Sequence, residues 1–320
     1  MENDTKREER VNENAMKRTY HICLSAGKEI MFRDQKDYNR GFNCFALALH
    51  KTGSTGLVEA FMSTHCHLVV QTENPAELMF ALRQPYALYF NRKYGRSGPL
   101  GERHHFEIEI IGLHHHLAAM SYVLRNPLHH GIAPIPFSYP NSSANAIFQK
   151  EMGKSSDFNL LPPQSIYKYI GRKVSCPPGY KMSSSGVFLR ESVLDIVQVE
   201  NMFVTPRSYN YYMSRYTSED WETEQEKDGV NSSPITLSEI EKGGNLHSIE
   251  TMRINERGRL DYRKLSDIEF CTQSDFLAQS RYGKQSVYQL SQKEKNELAN
   301  HFWETYHLPA SQIKRCLGIL

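Results

Sequence analysis

The run Phe61-Met62-Ser63-Thr64-His65-Cys66-His67-Leu68-Val69-Val70 allows few folds. Its length and its apolar, β-branched content suit a buried strand entered through a turn near Ser63-Thr64. Successive side chains in a strand point to opposite faces. His65 and His67 therefore project together, while Cys66, Leu68 and Val70 project the other way. A sheet containing this strand has one apolar face and a second face that carries two imidazoles side by side. Such a pair is half of a metal site or simply two unrelated strand histidines. A third ligand and a reactive group elsewhere in the chain decide between them.

The neighbouring segments alternate between the two periods of regular structure. Residues 19–24 form a short aromatic and β-branched run and read as a strand. Tyr38, Phe42, Phe45 and Leu49 recur at helical spacing within 35–51, and Lys51-Thr-Gly-Ser-Thr-Gly56 stops that helix in a turn. Residues 57–62 and 66–71 read as the two strands of a hairpin. Leu78, Leu82, Tyr86 and Phe90 mark a helix over 75–94, in which Pro85 predicts a kink or a split into two shorter helices. A loop at 95–101, a fourth strand at 105–111 and a third helix at 113–125 follow, the last closed by Asn126-Pro127. The order β-α-β-β-α-β-α belongs to the α+β class. Its first six elements are the ferredoxin-like (RRM-like) split βαβ arrangement, an antiparallel sheet with helices on one face and the other face free for a site.

Composition narrows the function classes. A chain of 320 residues has room for two domains. Mean hydropathy is −0.57, and no apolar run reaches the ~18 residues of a membrane span. Residues 1–15 are charged, lack the apolar core of a signal peptide and read as a disordered lead. Cys23, Cys44, Cys66, Cys176, Cys271 and Cys316 are scattered without a Cys-x-x-Cys pair. That argues against a disulfide framework or a cysteine zinc site and suits a reducing cytoplasm. Net charge is only +2, yet 16–134 holds 13 Lys and Arg against 9 Asp and Glu. Arg92, Lys93, Arg96 and Arg103 surround Tyr94, a basic patch suited to phosphate contact or, equally, a solvated loop.

On the third helix Leu113, Leu117, Met120 and Leu124 form the apolar stripe. At 100° per residue Tyr122 lies about 200° from Met120, off that stripe, and Asn126 is one turn further along the same face. One reading is a surface tyrosine beside an ordinary Asn-Pro helix terminator. The other is a reactive phenol beside an amide ligand. The histidines at 104–105, 114–116 and 129–130 read as polar surface, and Tyr86, Tyr89 and Phe90 as core.

Taken in order, three motifs resemble those of the REP-associated tyrosine transposases, relatives of the single-tyrosine HUH transposases of small insertion sequences. They are His65-Cys66-His67 in a strand, Tyr89-Phe-Asn-Arg-Lys-Tyr-Gly-Arg-Ser-Gly98, and Tyr122-Val-Leu-Arg-Asn126-Pro127. The resemblance covers about residues 16–134. After Gly98 that family has an aromatic- and Gln-rich stretch leading to an Arg-aromatic pair. Here it is Pro99-Leu-Gly-Glu-Arg103-His-His-Phe106, a departure that bears on DNA hairpin contacts and not on the chemistry.

The resemblance implies a divalent ion held by His65, His67 and Asn126, and attack by Tyr122 on the scissile phosphate to give a 5′-phosphotyrosine and a free 3′-OH. Imidazoles alone suit Zn²⁺, whereas the resemblance favours Mg²⁺ or Mn²⁺. The implied partner is single-stranded or hairpin DNA in the cytoplasm, at the nucleoid. Arg92, Lys93, Arg96 and Arg103 would follow its backbone and Tyr94 would stack on a base. A homodimer is compatible with this. Two other readings stay open: a catalytically silent, sequence-specific DNA-binding protein of the same fold, and a metal-dependent hydrolase that does not use the tyrosine.

The remaining chain carries fewer signals. Residues 135–185 read as a linker, rich in Pro, Ser and Asn over its first part, and 186–320 as a mostly helical region interrupted by an acidic, polar stretch at 217–245. Ser291-Gln-Lys-Glu294 is a capping box opening a helix with Leu298, Phe302 and Tyr306 on one face. A short turn and a second helix follow, with Ile313 and Leu317 inward. Residues 290–318 thus read as a helix-turn-helix presenting Gln312, Lys314 and Arg315 to DNA, or as an ordinary helical hairpin.

Overall fold

The computed structural model describes residues 17–27, 29–153, 159–171, 173–214 and 265–319; the expected lead at 1–15 and the acidic stretch at 217–245 lie outside the described residues. Strand β1 (Arg18–Ser25) leads to helix α1 (Gln35–Lys51), the hairpin strands β2 (Thr55–Phe61) and β3 (His65–Thr72), helix α2 (Pro75–Tyr94), strand β4 (Phe106–Ile110) and helix α3 (Leu113–His129). The strands form one four-stranded antiparallel sheet in the order β2-β3-β1-β4. This is the α+β, ferredoxin-like order expected from the segment pattern.

The period-2 alternation of β3 decides what each face carries. Cys66, Leu68 and Val70 pair in register with Leu24, Ile22 and Tyr20 of β1. Their apolar face packs on α1 and α2 in one core. Asp34 caps α1 through a capping box with Asp37, and Asn74 caps α2 just before Pro75. Helix α2 runs unbroken through Pro85. Leu82, Tyr86 and Phe90 are buried on either side of the proline, and the Tyr86 hydroxyl donates to the Met31 carbonyl at 2.6 Å. Tertiary packing on both sides outweighs the hydrogen bond that Pro85 removes.

The opposite face is also covered. Val58, Ala60 and Val69 pack against Leu117, Met120 and Val123 of α3. Beyond α4 (Pro163–Ile170), helices α5 (Ile196–Phe203) and α6 (Pro206–Ser214) close over α3, burying Val199, Phe203 and Tyr209 in the same core. Helix α3 therefore lies between the sheet and a further helical layer.

The first part of the expected linker is not a spacer. The Asn141 carbonyl accepts from the Phe61 N–H at 2.9 Å, and the Tyr139 hydroxyl donates to the Phe61 carbonyl at 2.7 Å. Ser143 Oγ accepts from the Glu59 N–H at 2.9 Å, while Ala144 and Ile147 are fully buried. The reason is β2, an edge strand whose outer backbone groups need partners once buried. A Pro-, Ser- and Asn-rich segment supplies them without forming a fifth strand.

Helices α7 (Asp267–Tyr282), α8 (Gln292–Tyr306) and α9 (Ala310–Leu317) form a C-terminal unit around Phe270, Leu298, Phe302, Ile313 and Leu317. The Ser291/Glu294 capping box is present at the start of α8. The unit is locked to the sheet domain by buried polar contacts. Asp267 accepts from Ser63 Oγ at 2.8 Å. Arg33 donates to both Asp275 oxygens, at 3.0 and 2.9 Å, and to the Cys316 carbonyl at 2.8 Å. This arrangement corrects the expectation for α9. Gln312 Nε2 donates to Asp267 at 3.0 Å, and Arg315 grips the same carboxylate at 3.0 and 2.9 Å. Both side chains are buried and turned to Asp267; of the three expected contacts, Lys314 is the exposed one. Among the described residues no helix is long and apolar enough to cross a membrane, and the six cysteines are free thiols.

Candidate active site

Register builds the site before any helix arrives. On β1, Cys23 lies opposite His67 and Ser25 opposite His65. Directly paired residues share a face, so His21, Cys23, His65 and His67 occupy the face over which α3 runs. Helix α3 then brings Tyr122 and Asn126 onto them. His65 Nε2 and Asn126 Oδ1 are 3.2 Å apart, and Thr64 Oγ1 lies 3.0 Å from His65 Nδ1. The His67 ring stands at 85° to that of His65 with centroids 5.0 Å apart. The Tyr122 ring meets His67 edge-on at 5.5 Å.

The four residues expected at the centre thus come together. Tyr122 is not on the surface, however, being only 5% exposed. Tyr122 lies off the apolar stripe as its spacing implies, yet it is buried because α3 is enclosed on both sides. Leu113, the first residue of that stripe, is half-exposed instead.

The site also holds groups that sequence reasoning missed. His21 Nε2 lies 3.0 Å from His67 Nδ1, and Cys23 Sγ is 4.0 Å from His67 Nε2. His130 packs against the His65 ring at 5.4 Å. His115 is buried, its Nδ1 accepting from the Ile111 N–H at 3.2 Å. So His115 and His130 are not the polar surface expected of their clusters. A signal for His21 existed in the alternation of β1, which sets Thr19, His21, Cys23 and Ser25 against Tyr20, Ile22 and Leu24.

Burial keeps these imidazoles neutral. His65 is lowered to about 4, mainly by desolvation, with the Asn126 contact opposing. His21 is lowered to about 3 by burial and by His115. His67 is pushed well below the usual range by burial and by the surrounding His65, His21 and His130. A neutral imidazole is the ligating form.

The donor set fits a divalent cation. Asn126 turns its oxygen, not its NH₂ group, to the histidine, and its Nδ2 is buried without a hydrogen-bond partner. Among the described residues no three His, Cys, Asp or Glu side chains are placed to hold an ion by themselves.

Stability carries the same signature. The ordinary histidine value is 6.5, and the folded values for His65 and His21 are about 4 and about 3. Between those limits the unfolded chain binds protons that the folded chain refuses, so stability is lost as pH falls. At pH 5 each such histidine costs about 2 kcal/mol. Urea midpoints are expected to drop steeply from pH 6.5 to pH 4, and a flat profile would contradict the burial of these rings.

The basic patch divides. Lys93 sits 2.7 Å from both Asp34 and Asp37, Arg96 is 2.7 Å from Glu29, and Tyr94 is buried with its hydroxyl donating to Asp37 at 2.7 Å. The acidic α1 cap draws Lys93 and Tyr94 inward, so Tyr94 is not available to stack on a base. Arg92 and Arg103 are exposed.

The chain matches no protein-family model and no curated protein sequence. Among solved structures it is similar to a REP-associated tyrosine transposase bound to a REP hairpin. That similarity has a TM-score of 0.36 and 10% sequence identity, over 43% of this chain and 81% of the other.

Proposed function

We propose that this protein cuts and rejoins single-stranded or hairpin DNA through a covalent link to Tyr122, with Mg²⁺ or Mn²⁺ as cofactor. The observation that carries this reading is the meeting of a phenol, two neutral imidazoles and an amide oxygen on one buried face, with His65 Nε2 and Asn126 Oδ1 3.2 Å apart and Tyr122 edge-on to His67 at 5.5 Å. The order of motifs along the chain supports it as well.

His65, His67 and Asn126 would hold the cation. When bound, it would polarise the scissile phosphate and offset the negative charge that builds up during transfer. Thr64 Oγ1, 3.0 Å from His65 Nδ1, would accept the Nδ1 proton when Nε2 exchanges its hydrogen bond to Asn126 for the cation. The Tyr122 oxygen forms a bond to phosphorus as the bond to the 3′ oxygen breaks, and that oxygen leaves as a free 3′-OH. Attack by a 3′-OH on the phosphotyrosine reverses the step, so no nucleotide is consumed. A duplex would hide the scissile strand, so the expected substrate is an unpaired strand or a hairpin tip. His129, exposed and 5.9 Å from the Tyr122 ring, marks the rim where it would enter. Arg92, Arg103 and Lys314 remain free to meet its phosphates.

The test is incubation of the protein with hairpin-bearing single-stranded oligonucleotides and Mn²⁺, followed by denaturing gels. A protein–DNA adduct is expected, and chelation should abolish it. Asn126→Ala is expected to weaken Mn²⁺ binding in calorimetry by at least about tenfold, since one of three ligands is lost. Binding without cutting under every divalent ion would support the silent DNA-binding reading instead.

A further inference from the structure

We infer that His21 is the positioning residue of His67. It accepts the His67 Nδ1–H on its own Nε2 and so leaves the His67 Nε2 lone pair as the one offered to a cation. The inference rests on the proposed metal site but has its own readout.

The geometry is that of a hydrogen bond and not of ring stacking. The two nitrogens are 3.0 Å apart, while the ring centroids are 5.2 Å apart and the planes inclined by 23°. Rings that meet so closely at their nitrogens with their centres so far apart are edge to edge, each nitrogen aimed at the other. One proton must lie between them, and its owner decides which His67 nitrogen is bare. At the other edge of His67, Nε2 faces the Cys23 sulfur at 4.0 Å. A thiol there is a weak donor, which suits a bare Nε2.

The remaining observation is a cost. His21 Nδ1 is buried and has no hydrogen-bond partner among the described residues, and His21 itself is 1% exposed. An orphaned polar atom of this kind destabilises a fold, and an apolar side chain at the same position would remove it. A histidine retained only for packing has no reason to be there. A metal-ligating histidine, by contrast, almost always gives its second N–H to a partner that fixes its orientation. Thr64 Oγ1 is placed for that role at His65 Nδ1, and His21 Nε2 at His67 Nδ1.

Two measurements test this. The first uses metal-free protein labelled with ¹⁵N in its histidines. Long-range proton–nitrogen spectra are expected to show His67 protonated on Nδ1, with a scalar coupling across the hydrogen bond to His21 Nε2. A His67 proton on Nε2, or no coupling, overturns the inference, and no variant needs to fold. The second is Mn²⁺ affinity. His21→Phe keeps a ring of similar size and removes the acceptor, so Mn²⁺ should bind about 10–100-fold more weakly. His21→Gln, which restores an acceptor oxygen, should recover most of that loss. Unchanged affinity in a folded His21→Phe protein overturns the role of His21. Absence of Mn²⁺ binding in the unaltered protein overturns the metal site itself, which the spectra on metal-free protein keep separate.

Discussion

Tyr122→Phe is expected to abolish the covalent adduct with hairpin oligonucleotides while leaving the fold and Mn²⁺ binding intact. The substitution removes one oxygen and keeps the ring that packs edge-on against His67 at 5.5 Å and His21 at 5.9 Å. Loss of a nucleophile removes the covalent route entirely, so the adduct should fall by at least about 10³-fold. The proposed 5′-phosphotyrosine also says which side of the nick stays attached. The fragment 3′ to the nick should remain on the protein by its 5′ phosphate, and the released fragment should end in a 3′-OH that a polymerase can extend. A Tyr122→Phe protein that still forms the adduct would disprove the assignment. Cleavage without an adduct in the unaltered protein would mean that water attacks instead, and a hydrolase reading would replace strand transfer.

Asp267→Ala should produce the largest loss of stability, about 3–5 kcal/mol in urea unfolding. Its carboxylate is fully buried and receives Arg315, Gln312 and Ser63 together. Removing it takes from the buried Arg315 guanidinium both hydrogen bonds and the charge of this carboxylate, a loss larger than the pair contributes when intact. Asp267→Asn should cost less, since it keeps part of the hydrogen bonding. A useful contrast is the exposed pair Arg18–Glu109 at 3.3 Å. There Arg18→Ala should change stability by no more than about 1 kcal/mol. Equal effects at the two places would contradict the burial of Asp267.

Local periodicity made most of the sheet domain legible. The apolar and polar faces of β3, the hairpin turn at Ser63-Thr64 and the pairing of Tyr122 with Asn126 all follow from spacing along one element. What spacing cannot show is what covers a face. Tyr122 lies off its apolar stripe on α3, yet two layers enclose that helix and bury it. His21 sits on a strand read correctly, but its meeting with His67 depends on the register between β1 and β3. Gln312 and Arg315 look like the polar side of an amphipathic helix until Asp267, far away in the sequence, is placed between them. Lys93 and Tyr94 looked like DNA contacts for the same reason, the partner being the acidic cap of α1. The segment after 135 has the composition of a loop and is one, but its polar groups are spent on the outer edge of β2.

The contact between Ser63 and Asp267 spans 204 residues of chain. Its consequence lies in time. The turn that sets His65 in place leaves the ribosome long before the carboxylate that fastens it. At about 5–20 residues per second the interval is about 10–40 s. During it the sheet can form from local pairings, but Ser63 lacks its anchor. A nascent chain thus holds its histidines before their final clamp, and the clamp closes only once Asp267 has emerged.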